Sequence, residues 1–186
     1  MLASSASRQA ARPFGAARAA SRAAAPRRAR AARCSAAAVP SADSPHIQLA
    51  TAKIPAAADE GAFMTSIYQH VATLNQNGRN LPFVLPLKVD RLGDGGFSLG
   101  LLRRAGDGGF ASAVDIIGCV ESVEGAGRVL FLRMFEGPAA FAGRAYNGKP
   151  EDRLEAVIQA HPDVDTIMGT MVPAIRMAAA FAMTKA

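Results

Sequence analysis

Four short stretches carry side chains that could do chemistry. Gly96-Phe97-Ser98-Leu99-Gly100 fits the G-x-S-x-G pattern, in which a strained strand-to-helix turn holds a serine up to a histidine base. Strand-like sequence and another glycine turn follow Gly100 where that pattern needs a helix, so Ser98 reads as a residue on a strand face. His161-Pro162-Asp163-Val164-Asp165 places an imidazole and two carboxylates close together, which would hold a metal only with a further ligand from elsewhere. The simpler expectation is that Pro162 ends one helix while Asp163 or Asp165 caps the next. The paired Asp94-Gly95-Gly96-Phe97 and Asp107-Gly108-Gly109-Phe110 lack a following Gly-Lys-Ser/Thr and open no helix, so they read as hairpin turns and not as phosphate cradles.

Isolated residues offer weaker leads. His70 falls on the apolar side of a predicted helix, about 20° from Phe63, where a neutral histidine serves either as a satisfied core residue or as a pocket residue. If helix and sheet enclose a cavity, Tyr68 and His70 are its expected polar linings from that helix. Arg133 interrupts an apolar strand, and a charge there needs a partner or an anionic ligand. Cys119, within Ile116-Ile117-Gly118-Cys119-Val120, reads as a small buried hydrophobe. No catalytic set, metal site or cofactor is expected from these residues.

The charge of the chain is unevenly placed. Of 21 basic residues, eight are arginines within residues 1–34, a stretch with no lysine and no acid; residues 35–186 then carry 13 basic against 15 acidic residues, about −2. A leader rich in Ala, Arg and Ser and lacking a 7–15-residue apolar core matches an organelle transit peptide and not a secretory signal. The run Ala32-Arg33-Cys34-Ser35-Ala36 resembles a plastid cleavage context, so residues 1–34 are read as a chloroplast transit peptide, with a mitochondrial leader as the overlapping alternative. The mature charge and scarce aromatics argue against nucleic-acid binding. The most apolar stretch, Thr166 to Met183, contains Pro173 and Arg176, so no spanning helix is expected and the location is read as stromal.

The elements that must position these residues follow from periodicity. Residues 35–45 read as a linker and 46–186 as one domain. A weak strand over 46–54 leads to a helix starting near Ala57 or Asp59, whose Phe63, Ile67, Val71 and Leu74 share one face and which Asn77-Gly78 stops. Residues 81–90 alternate as a half-buried strand, placed at an edge because Pro86 donates no hydrogen bond. Strands over 97–104, 110–123 and 128–135 follow, joined by glycine turns; the last is apolar on both faces except at Arg133. Helices over about 150–160 and 164–183 complete the chain, the second burying Val164, Met168, Met171, Val172, Ile175, Ala178, Ala179 and Ala182 and kinked or broken at Pro173. The fold class is α+β: an antiparallel sheet of about five strands in the order β-α-β-β-β-β-α-α, with helices mainly on one face.

Asn80-Leu81-Pro82-Phe83-Val84-Leu85-Pro86-Leu87-Lys88-Val89-Asp90 and Val120-Glu121-Ser122-Val123-Glu124-Gly125-Ala126-Gly127-Arg128-Val129-Leu130-Phe131 resemble an uncharacterised domain family of plant and algal plastid proteins, over most of residues 47–183. The resemblance implies a plastid location and brings no assigned activity. A looser architectural similarity is to helix-grip domains, where a sheet curls around a long C-terminal helix over an apolar pocket. The expected function is a stromal, non-catalytic binding or accessory protein, using an apolar sheet face exposed at 128–135 and at outward Phe or Leu positions of 97–102 for a protein partner or a second copy. The alternative is a carrier of a lipid, isoprenoid or pigment, with Tyr68, His70 and Arg133 in or near a helix–sheet pocket.

Overall fold

The computed structural model describes residues 44–76, 83–93, 95–106, 108–141 and 145–185. The leader, the linker as far as Asp43, the Asn77-Gly78 stop and the aspartates of the paired turns lie outside them. The elements run β1 (His46–Lys53), α1 (Glu60–Gln76), β2 (Leu87–Arg91), β3 (Phe97–Arg104), β4 (Phe110–Val123), β5 (Gly127–Glu136), a 3-10 turn (Pro150–Asp152), α2 (Arg153–Ala160) and α3 (Asp163–Met183). The class and element order are those expected from the sequence.

All five strands are antiparallel, in the spatial order β1-β5-β4-β3-β2. Residues β2 to β5 form the expected meander, and the strand carrying Pro86 at its start is an edge. Gly95 and Gly108 hold left-handed φ of 85° and 81° in two hairpin turns closed in the same way, from Leu92 N–H to the Gly96 carbonyl and from Ala105 N–H to the Gly109 carbonyl. β1 lies at the far edge from β2, so the segment carrying α1 must cross the sheet.

Strand alternation sends Phe97, Leu99, Leu101, Val114, Ile116, Leu130, Leu132 and Met134 to the helix side, where all are buried. Phe63, Ile67, Val71 and Leu74 of α1 meet them, as their spacing requires. Phe97, Leu99 and Leu101 therefore point into the core, which narrows the expectation of outward Phe or Leu in β3 to Leu102; the other outward positions are Ser98 and Gly100. Phe97 pairs with Gly118, and a Cβ on Gly118 would overlap its ring, so the strand partner must be glycine for that ring to lie flat.

Three sequence expectations shift. Residues 83–85 do not join the sheet, because the Asp163 carboxylate takes the Val84 N–H (3.0 Å to both oxygens) and the Leu85 N–H (2.9 Å); Pro86 has no N–H and only its carbonyl meets β3, accepting from Leu102 at 2.8 Å. Phe83, Leu85, Leu87 and Val89 still pack against the core as the alternation demands. Asp163 is consequently no cap: it is the first residue of α3, Pro162 occupies the cap position without a side-chain bond, and Asp163 is only 3% exposed. α3 runs unbroken through Pro173, which is exposed. Its buried face is Val164, Ile167, Met171, Ile175, Ala178 and Ala182, so Ile167 replaces the expected Val172 in the core.

The entry to α1 is fixed from two sides. Asp59 accepts the Ala62 N–H through its side chain (2.5 Å) and donates its own N–H to the Ala182 carbonyl at the end of α3 (3.2 Å). Arg128 of β5 donates to the carbonyls of Pro55, Ala56 and Ala58 and to Glu60. At the other end, Arg153 forks onto Glu136 with two 2.6 Å bonds, fastening α2 to β5.

Two substitutions test this account. Asp163→Ala leaves two amides without their charged acceptor and is expected to cost about 3 kcal/mol, read from urea unfolding, with faster amide exchange at Val84 and Leu85. Gly118→Ala is expected to cost roughly 1–3 kcal/mol through the Phe97 ring, part of which Phe97→Leu restores in the double variant. Wild-type stability in either single variant contradicts the packing described.

Candidate functional site

Tyr68, His70 and Arg133 do not converge. Tyr68 lies half-buried beneath the Arg91 guanidinium, 5.1 Å from its ring centroid, at the β2 edge. His70 faces α3, its Nε2 3.4 Å from Thr170 Oγ1. The Thr170 hydroxyl is donated to the Ile167 carbonyl at 2.8 Å, so its oxygen is left to accept and His70 Nε2–H donates. Arg133 alternates with the inward Leu132 and Met134 and so lies on the opposite side of the sheet from α1.

On that outer side Arg133 supplies its own environment. Its guanidinium grips the Glu121 carboxylate on β4, including a 2.8 Å bond from Nη2 to Oε2, and covers the Phe131 ring at 4.6 Å. The bond from Arg133 holds the Glu121 carboxyl below the usual carboxylate range. Cys119 sits in the same cluster, half-buried, with Sγ 3.5 Å from Glu121 Oε1 and 3.8 Å from Arg133 Nη1 and with Phe131 opposite it on β5. Nearby, burial raises the pKa of Asp115, which accepts a 2.7 Å bond from Ser112 and leans over Gly100, so Gly100 gives room to a carboxylate and does not shape a nucleophile turn. Ile117, Val129 and Phe135 on this side are buried. The outer sheet face is thus a self-paired polar cluster over covered hydrophobes, not the open apolar surface expected.

The other sequence leads also separate. His161 is 2% exposed and donates Nε2–H to the Ala140 carbonyl (3.2 Å), Asp163 holds the 84–85 amides, and Asp165 is exposed. Among the described residues no three His, Cys, Asp or Glu side chains gather closely enough to hold a metal.

Between helices and sheet, Phe63, Met64, Ile67, Met134, Met171 and Ile175 occupy the space a helix-grip pocket would use. Two open clefts flank this core. One of about 360 Å³ is lined by Leu74, Asn75 and residues 83–87; one of about 200 Å³ lies among Glu60, Gly61, Met64, Gly95 and Val120.

The most unusual surface is on α3. Val172 (46% exposed), Met177 (72%), Phe181 (48%) and Met183 (47%) open to solvent on a helix whose opposite side is core. Arg176 shares this outer side, and the Lys185 ammonium lies 5.6 Å from the Phe181 ring. At 21 residues α3 is long and apolar enough to cross a bilayer by length and composition, yet its inner side is committed to the domain. The signal was present in the sequence: positions 172, 173, 177, 180, 181 and 183 are all apolar, so the helix has apolar residues nearly all round.

A family model for a domain of unknown function, DUF7148, matches residues 43–183. The chain belongs to that family. The matched span takes in the 47–183 stretch over which an uncharacterised domain family was expected, and every element described here lies within it. No curated protein matches the sequence. Among solved structures the family domain is similar to the di-domain ARO/CYC StfQ from the steffimycin biosynthetic pathway (12% identity, TM-score 0.32, 75% of this chain and 51% of that one). It is also similar to the di-domain ARO/CYC BexL from the BE-7585A biosynthetic pathway (13%, 0.27, 74% and 50%). The chain spans about half the length of each.

Burial lowers the pKa of both His70 and His161 from 6.5. The fold therefore prefers both rings neutral, and as pH falls below 6.5 the unfolded chain takes up protons that the folded chain resists. Stability is expected to hold above about pH 7 and to decline as pH drops through and below 6.5. The Glu121 contribution, from a depressed pKa, is lost only below its ordinary 4.5. Urea midpoints measured from pH 8 to 5 check this; the decline should flatten in His70→Gln/His161→Gln, and an unchanged slope there would assign it elsewhere.

Proposed function

We propose that this domain is a non-catalytic binding module that docks through the outer side of α3, delivered to the plastid stroma by the arginine-rich leader. The observation that carries the reading is the exposure of Val172, Met177, Phe181 and Met183 together on one rigid helix. The polar groups supply the complementary argument: Arg133 with Glu121, Asp115 with Ser112, and Asp163 with its two amides spend their bonds on one another. A photo-crosslinking phenylalanine analogue placed at Phe181 in the full chain should form adducts in the cell, whereas the same analogue at the exposed Phe110, on the hairpin end of β4, should not. Equal yields at the two positions, or none at Phe181, would overturn the reading. Removal of residues 1–34 should leave a fluorescent fusion in the cytosol.

The second reading, carriage of a small apolar molecule, is favoured by the 360 Å³ cleft, whose walls include Leu74, Phe83, Leu85 and Leu87 and whose volume suits a compact ligand. A dissociable small-molecule mass in native mass spectra of the recovered protein, lost in Leu85→Arg, supports it; a bare chain mass in the wild type counts against it.

A further inference from the structure

We infer that the surface covering α3 is an anionic lipid surface, on which the helix lies flat. The inference rests on α3 being the docking face and names what covers it. Charge on the helix points this way. From Thr166 to Ala186 the only charged side chains are Arg176 and Lys185, and no acid occurs. The acids at the beginning of α3 stand apart from the apolar strip: Asp163 is buried on the Val84 and Leu85 amides, and Asp165 is in the first turn. At the far end of the helix, Glu60 is paired with Arg128 and Asp59 caps α1.

Exposed apolar side chains on both flanks of the outer side of α3, Met177 and Phe181 on one and Val172 and Met183 beside Arg176 on the other, suit a bilayer interface. Met177 and Phe181 would enter the acyl boundary while Arg176 and Lys185 extend aliphatic stems beside them and hold their charges among phosphates. Lys185 already lies against the Phe181 ring, which places the cation at the border of the strip. A second copy fits less well. One helix face of a second copy could cover Met177 and Phe181, or Val172 and Met183, but not both pairs, which lie more than about 100° apart around the helix. The strip is also the convex side of a helix, which a planar surface covers without a preformed groove.

The chain has no tryptophan, so Phe181→Trp or Met177→Trp creates a lone indole that reports its own surroundings. Full-length protein carrying either substitution is mixed with vesicles of phosphatidylcholine containing 30% phosphatidylglycerol. A blue shift of tryptophan emission is expected. It should be absent with phosphatidylcholine alone, and the partition coefficient should fall about fivefold for each of Arg176→Gln and Lys185→Gln. Because the arginine-rich leader can also bind such vesicles, sedimentation without a blue shift in both tryptophan variants overturns the inference. Crosslinks from Phe181 to protein, with no blue shift, would sink the lipid surface and leave the docking face standing. Neither adduct nor shift would sink both.

Discussion

The Asp163 carboxylate is the contact on which the arrangement of the second half of the domain depends. It sits at the first position of α3, yet its three hydrogen bonds run to Val84 and Leu85, about 80 positions earlier in the chain. A buried carboxylate requires donors, and backbone amides that have left a sheet require acceptors; each answers the other. The contact therefore sets where β2 begins and where α3 enters the fold. Because it is bidentate across neighbouring amides, it fixes the direction of the 83–86 segment as well as its position. The edge cleft, the inward packing of Phe83 and Leu85 and the start of the last helix all follow from that constraint.

Local pattern carried much of this fold. The strands over 97–104 and 110–123, marked off by glycine turns, match β3 and β4 residue for residue, and the stripe from Phe63 to Leu74 is the buried side of α1. The misses share a cause: each was decided by a residue remote in sequence. The alternation over 81–90 predicted strand throughout, but the amides of Val84 and Leu85 were taken by a partner that no window around them contains. Asp163 carried a capping signature and was used for something else. On α3 nearly every position is apolar, so periodicity could not orient the helix, and Val172 was assigned to the core in place of Ile167. The candidate site was legible only in part for the same reason: beyond Arg176 the helix is apolar on every side, which announces an unusual surface without saying which side is free.

The polar leads were misplaced by a different route. Arg133 looked like a pocket residue because its strand is apolar on both sides, and in a sheet the next residue along points to the opposite face. Its actual partner, Glu121, stands on the neighbouring strand four residues beyond Ile117, the residue that pairs with Arg133, and the long side chain reaches it along the outer face past Phe131. The same register puts Cys119 opposite Phe131, in that cluster. These side chains hold β4 and β5 together on the outer side and keep Phe131 covered, leaving α3 as the broader apolar surface.

For the docking role proposed for α3, the property that matters is rigidity. A free amphipathic helix orders itself at the moment of binding and loses conformational entropy in doing so. Here the inner side of α3 is already packed from Val164 to Ala182, its start is tied through Asp163, its middle meets α1 through His70 and Thr170, and its last carbonyls receive the Asp59 amide. Met177 and Phe181 are therefore presented in place before any partner arrives, and Pro173 is tolerated because these tertiary contacts, and not the ladder alone, hold the helix. The same packing prevents α3 from crossing a bilayer despite its length: crossing would strip Ile167, Met171 and Ile175 from the core and expose the sheet beneath. The helix can offer one side to an apolar environment only while the other stays in the protein, so the lipid contact proposed here is attachment to a surface and not insertion across it.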